Sequence, residues 1–263
     1  MDVWKPFGIE PDQCVETQIG PLKIWLRRVD DETHVAVGRD VSPDGTFLVN
    51  TPEPVEDTVA GGLDWSRWVC GTDWQTMKLI PKTPDRPVVV RPEVPVNLPP
   101  KQKAVFFVRV PCWVAVTVGE PDPTLLCEEP SLVLSNTWFG DPTSGDLCYS
   151  MRTRARRHNV DTQIEPHRIV CPVTISNVAK KGVDITRLCV HVEHLNVYLG
   201  QTRLWTNGVS ITFKGENEVS QVAYSRDVPE YEPAAEMLSK ARKPLKKPLL
   251  KRSLGDFNWL GGD

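Results

Sequence analysis

No C-x-x-C pair occurs in this chain, although it carries seven cysteines (Cys14, Cys70, Cys112, Cys127, Cys148, Cys171 and Cys189). That absence excludes the spacing of a zinc ribbon and of a thioredoxin-like dithiol. The count is odd and the positions are scattered, so buried reduced thiols are expected rather than a disulfide framework. Motifs of the G-x-S-x-G, P-loop and H-E-x-x-H kinds are also missing, which removes the commonest sequence signatures of hydrolases, nucleotide enzymes and zinc proteases. The longest apolar run, Ala104–Val118, is interrupted by Arg109 and Pro111 and is too short to span a bilayer. The opening residues MDVWKPFGIEPDQ show no basic stretch ahead of an apolar core. No secretory signal is therefore expected, and a cytoplasmic protein, at most peripheral to a membrane, is the expectation. Finally, 24 prolines in 263 residues leave few windows in which a helix could run uninterrupted.

What is present alternates. Leu22, Ile24 and Leu26 are spaced two apart between Lys23, Trp25 and Arg27, the pattern of a half-buried strand, with Asp30-Asp31-Glu32 as the turn into its return. Phe106, Val108 and Val110 share one face, as do Val114, Val116 and Val118; Ile169, Cys171, Val173 and Ile175; and Val209, Ile211 and Phe213. Many short strands at this spacing predict an all-β chain of antiparallel β-sandwich architecture, read as two packed immunoglobulin-like sandwiches. The division expected is 1–135 for an N-terminal β-sandwich region and 136–228 for a C-terminal immunoglobulin-like one. Residues 229–263 are expected to form a short helix (Pro233–Lys243) and a basic flexible tail with an apolar end. Pro84–Pro100 has a proline every few residues and reads as a sheet edge or an extended connector. Trp65, Trp68 and Trp74 read as packing, with an aromatic sugar-binding shelf as the rival.

The charge is uneven. Residues 237–263 hold seven Lys and Arg against two Asp, leaving 24 basic and 32 acidic residues elsewhere, a net of −8. An acidic body argues against general nucleic-acid binding. The densest chemistry lies in 135–177. On an extended strand, Arg152, Arg154 and Arg156 point to one face about 7 Å apart. Such a row needs either internal carboxylates, the favoured reading, or an external anion matched by guanidinium forks. Trp138 and His167 complete the candidate anion site. Tyr149, His158, His167 and Cys148 are catalytic residue types without a partner motif, so no catalytic residue is assigned and the chain leans away from an enzyme. His191 and Glu193 share one face of an extended strand while His194 points to the other, which is poor spacing for one metal; no metal or cofactor is expected. In the tail, Leu250, Leu254 and Phe257 are spaced i, i+4, i+7, followed by Trp259 and Leu260. This apolar cluster behind lysines would dock on a partner groove or an anionic membrane surface, or fold back onto its own body.

The segments IGPLKIWLRR, DRPVVVRPE, TWFGD followed by GDLCYSMRTRAR, PHRIVCPVTISN and RLWTN resemble the DUF432 family, a prokaryotic family of unknown function, over about residues 1–226. The resemblance brings no activity, cofactor or catalytic residues. It implies a soluble accessory role at a membrane protein, with a channel or the membrane surface as the partner and the tail as the connector. The expectation is therefore a non-enzymatic binding protein. A small-anion or carbohydrate sensor built on residues 152–156 is the alternative.

Overall fold

The computed structural model describes residues 2–40, 51–55, 62–70, 76–158, 165, 167–215, 218–233, 235–245, 247–251, 253 and 254. The chain is all-β, and its described helical segments are single 3-10 turns at Asp2–Trp4 and Val192–His194. No helix is long and apolar enough to cross a membrane. The residues divide into two units that interleave along the chain. The first comprises Met1–Lys82, Pro111–Val133 and Glu165–His167, and the second Thr83–Val110, Leu134–Ile164 and Arg168–Asp263.

The first unit contains β1 (Phe7–Gly8), β2 (Cys14–Ile19), β3 (Leu22–Val29), β4 (Glu32–Arg39), β5 (Glu53–Val55), β6 (Trp65–Val69), β7 (Thr76–Lys82), β11 (Trp113–Val118) and β12 (Thr124–Pro130). Two sheets result, in the orders β5-β2-β3-β4-β6 and β1-β7-β11-β12. Two-residue loops close the β2–β3 and β3–β4 hairpins, since Ile19 pairs with Leu22 and Val29 with Glu32. Gly20 at φ +64° and Asp30 at φ +51° supply the left-handed conformations that such loops need. Leu22, Ile24 and Leu26 are fully buried, as their alternation requires. The opposite face is covered too, because Trp25 packs with Cys14, Ala36 and Trp65. Trp65 is thus a packing residue, Trp68 is 37% exposed at the edge strand, and Trp74 lies outside the described residues.

The second unit contains β8 (Val88–Pro92), β9 (Val96–Leu98), β10 (Lys103–Pro111), β13 (Ser135–Phe139), β14 (Asp146–Ala155), β15 (Arg168–Asn177), β16 (Val183–Ile185), β17 (Leu188–Val190), β18 (Val197–Leu199), β19 (Leu204–Thr206), β20 (Val209–Phe213), β21 (Ser220–Tyr224), β22 (Glu236–Ser239) and β23 (Leu249–Lys251). Its largest sheet is built around β15. β19 and β20 run parallel to β15 in succession, and their register grows by one residue between Val170↔Trp205 and Val173↔Val209. They therefore act as one strand bulged at Asn207-Gly208. A smaller sheet has the order β13-β14-β8-β17. The two sheets share one core: Phe106, Val108, Val110, Cys171, Val173, Ile175, Val209 and Ile211 meet Val88, Val90, Leu188 and Val190. Each large apolar side chain buried there stabilises the unit by about 1.5–3 kcal/mol relative to exposure.

Two expectations are corrected. The Pro84–Pro100 segment is not peripheral throughout, because β8 is an interior strand, paired with β14 on one side and β17 on the other. The valines Val88–Val90 lie between Pro87 and Pro92, so the ladder donors of the middle of the strand are intact. The helix expected at Pro233–Lys243 is absent: Glu236–Ser239 is instead the strand β22, paired with β18. Pro233 and Pro244 allow only about three turns between them, which is marginal for a helix without a buried face, whereas β18 offers a free row of ladder groups.

Candidate functional sites on the second unit

The arginine strand is β14, and the structure places its charges in the open. Arg152 and Arg154 are exposed, and among the described residues neither has an ion-pair partner. Arg156 is more enclosed and lies 3.6 Å from Glu93. Among the described residues, then, Arg156 has an internal carboxylate of the kind expected beside it and its two neighbours do not. Pairing across the sheet explains what else gathers there. Arg154 is directly opposite Arg91 of β8, also exposed. The β8–β17 register pairs Leu188 with Val90, so Arg187 falls next, beside Arg91. The guanidinium of Arg187 lies 5.5 Å from the centroid of the Phe139 ring. One face of the sheet thus carries Arg152, Arg154, Arg91 and Arg187 over three neighbouring strands about 4.8 Å apart. At the other end of the same face, Val89, Phe139, Cys148 and Cys189 form a small buried cluster.

The other predicted anion-site residues go elsewhere. Trp138 is 43% exposed on the β13–β14 hairpin, and its Nε1 donates to the Asp141 carbonyl at 3.0 Å. His167 belongs to the first unit, fully buried against the Gly20 turn, where its carbonyl accepts from the Ser131 hydroxyl. It serves that hairpin rather than the arginines. The tail residues separate as well. Leu250 is 62% exposed on β23, which pairs with β21, while Leu254 is buried in the core of its own unit. Phe257, Trp259 and Leu260 lie outside the described residues. As far as Leu254, the tail has folded back onto the body.

A second cluster was not legible as a site in the sequence. β17 ends at Val190, and the 3-10 turn Val192–His194 brings His191, Glu193 and His194 together. Their ligand atoms all lie within 4.8 Å of one another. His191 Nδ1 is 3.4 Å and His194 Nε2 is 3.7 Å from Glu193 Oε1. This replaces the strand reading, which pointed His194 away. The two buried residues of the trio are His191 at 3% exposure and Glu193 at 5%. Segments from afar buttress the turn: His194 Nδ1 donates to the Lys243 carbonyl, and the Lys243 backbone N–H donates to that of Glu193. Asp146 of β14 sits 4.0 Å from His191 Nε2 and is held by Lys251 Nζ at 2.7 and 3.0 Å. Asp146 and Lys251 also line a cavity of about 270 Å3 beside Phe139, Gly140 and Leu250.

Two groups packed near this turn are shifted, mainly by contact and burial. The Cys189 thiol is pushed well up, first by its contact with Cys148 at 3.8 Å, then by burial and by the nearby Asp146 and Glu193. Burial, and then Glu193, pushes the Tyr224 hydroxyl up as well, and its ring stands edge-on to His194. All seven cysteines are free.

The fold and these clusters define an all-β protein with several antiparallel sheets, in which the second unit carries an arginine face on one sheet and a His-Glu-His turn just after β17. The chain belongs to the family described as Protein of unknown function (DUF432), which matches residues 3–257. No curated protein and no solved structure matches it.

Proposed function

We propose that this protein is a non-catalytic binding module that engages an acidic macromolecular partner through the arginine face of β14, β8 and β17. The observation that carries the reading is the absence of carboxylate partners for Arg91, Arg152 and Arg154 among the described residues, although acidic side chains outnumber basic ones in the chain. Like charges side by side on a sheet are unfavourable, and among the described residues no carboxylate offsets the repulsion. Charges spread along and across strands match an extended acidic segment better than one small ion, which a convergent pocket would hold. The partner inferred is a protein with an acidic stretch, for which a membrane channel is our candidate, in a cytoplasmic setting that keeps seven free thiols reduced. Phe257, Trp259 and Leu260 would add apolar contacts to the same partner. The immunoglobulin-like sandwich remains part of this reading, supported by the facing sheets of the second unit.

The test is titration of the protein with a poly-glutamate peptide, with arms for inorganic phosphate and for anionic vesicles. Replacing Arg91, Arg152 and Arg154 together by alanine should weaken the peptide about tenfold, from three exposed contacts at about 0.5 kcal/mol each. Added salt should weaken the wild-type complex in parallel. Equal binding by the triple variant would refute the reading. Saturation by phosphate alone at the arginines would replace it with the small-anion sensor, and selective vesicle binding with a membrane-surface role.

A further inference from the structure

We propose that the turn His191–His194 is a binding site for one divalent first-row transition-metal ion, with zinc as the ion its ligands suit best. The coordinating atoms would be His191 Nδ1, Glu193 Oε1 and His194 Nε2. Tetrahedral coordination at about 2.0–2.1 Å sets ligand atoms about 3.3 Å apart. Two edges of the trio already measure 3.4 and 3.7 Å, and the third is within 4.8 Å, inside the reach of ring rotation.

Three further observations point to a cation rather than to hydrogen-bonded histidines. First, Glu193 is almost wholly buried, and its Oε2 has no hydrogen-bond partner among the described residues. A buried carboxylate with an unused oxygen is costly unless a positive charge meets it, and a metal that takes Oε1 and leans on Oε2 meets it directly. Second, His194 Nδ1–H is spent on the Lys243 carbonyl, which fixes the tautomer and leaves the Nε2 lone pair aimed at Glu193. Third, His191 Nε2 is buried with no hydrogen-bond partner among the described residues and faces the Asp146 carboxylate at 4.0 Å. With Nδ1 on the metal, Nε2 carries the proton and points it at that carboxylate. Metal-bound histidines commonly present such an outer N–H to a carboxylate or a carbonyl, and here each histidine has one. Imidazole and carboxylate together favour zinc, iron, nickel and copper over magnesium or calcium. The remaining coordination position would take water. Cys148 and Cys189 stay outside the ligand set, their sulfurs held against each other at 3.8 Å.

The experiment uses the full chain, stripped with chelator and titrated with Co2+ and then Zn2+. The proposal expects one equivalent of Co2+ to develop visible d–d bands without a sulfur-to-cobalt charge-transfer band, and Zn2+ to abolish them. Glu193→Gln, which preserves shape, should weaken binding by at least about tenfold, and His191→Ala with His194→Ala should remove it. Wild-type protein that binds no cobalt, or a Glu193→Gln variant that binds equally well, would overturn the proposal. If the variants fail to fold by circular dichroism, the wild-type spectrum decides: a strong sulfur charge-transfer band assigns the ion to the cysteines and overturns it.

Discussion

Replacing Arg154 by glutamine should make this protein more stable, by an amount that follows from the geometry of its sheet. Arg154 has two like-charged neighbours, Arg91 directly across β8 and Arg152 two residues away along β14. Along β14 the spacing is about 7 Å; across to β8 the Cβ atoms are about 5 Å apart, and exposed arginine side chains of this length splay to bring the guanidinium groups to about the same 7 Å. At that distance in water, two unit charges repel by about 0.6 kcal/mol. Relieving both pairs is worth about 1 kcal/mol at low ionic strength. A screening length of about 8 Å at 0.15 M salt reduces the gain to about 0.5 kcal/mol. Glutamine keeps most of the aliphatic stem, so little packing is lost. Thermal unfolding followed by circular dichroism should show a rise of about 2–4 °C at low salt for a chain of this size, shrinking as salt is added. A destabilised variant would show that Arg154 is engaged within its own fold, and a gain unchanged by salt would show that its origin is not Coulombic. Either result would refute the argument that this face awaits a partner.

Other perturbations have equally definite outcomes. Gly20→Ala should cost about 2–4 kcal/mol in chemical denaturation, because φ is +64° and a Cβ there would lie 2.4 Å from the His167 ring; a neutral variant would show that the β2–β3 turn relaxes freely. Leu254→Ala should cost about 2–3 kcal/mol, since its side chain completes the core of the second unit; loss of partner binding with unchanged stability would instead restore it as a contact residue. Burial pushes the Cys171 thiol up to about 12. Between an unfolded value near 9 and that folded value, the unfolded chain sheds a proton that the folded one keeps, so stability falls as pH rises through this window. The slope from this thiol is about 1.4 kcal/mol per pH unit. Denaturant midpoints above pH 9 should decline less steeply in Cys171→Ala, and an identical slope would contradict the assignment.

Local patterning carried much of the architecture. The faces of β3, β10, β15 and β20 follow from residues two apart, and the Asp30-Asp31 turn follows from its polar pair, because both are decided within a few residues of chain. Pairing partners are not decided that way. Arg91 and Arg187 join Arg154 only because β8 lies between β14 and β17, and nothing in three separated segments announces that order. The His191–His194 trio was hidden by a smaller error: continuing the strand two residues past Val190 splits the histidines onto opposite faces, whereas one 3-10 turn unites them. The Glu236–Ser239 segment misled in the other direction. Its charge order suits a helix dipole, yet the open edge of β18 made the stronger offer.

The interleaving of the two units has a consequence for how the protein is made. The first unit is not complete until Glu165–His167 has been synthesised, and Arg168–Asp263 of the second follows only after that. During translation the first unit cannot close until residue 167 has emerged, and by then Thr83–Val110 and Leu134–Ile164 of the second unit are already out of the ribosome without the rest of their own unit. The second unit therefore always closes last, with its early strands waiting longest. The same threading means that no single cut of the gene yields either unit whole, so shuffling would transmit the two units only together.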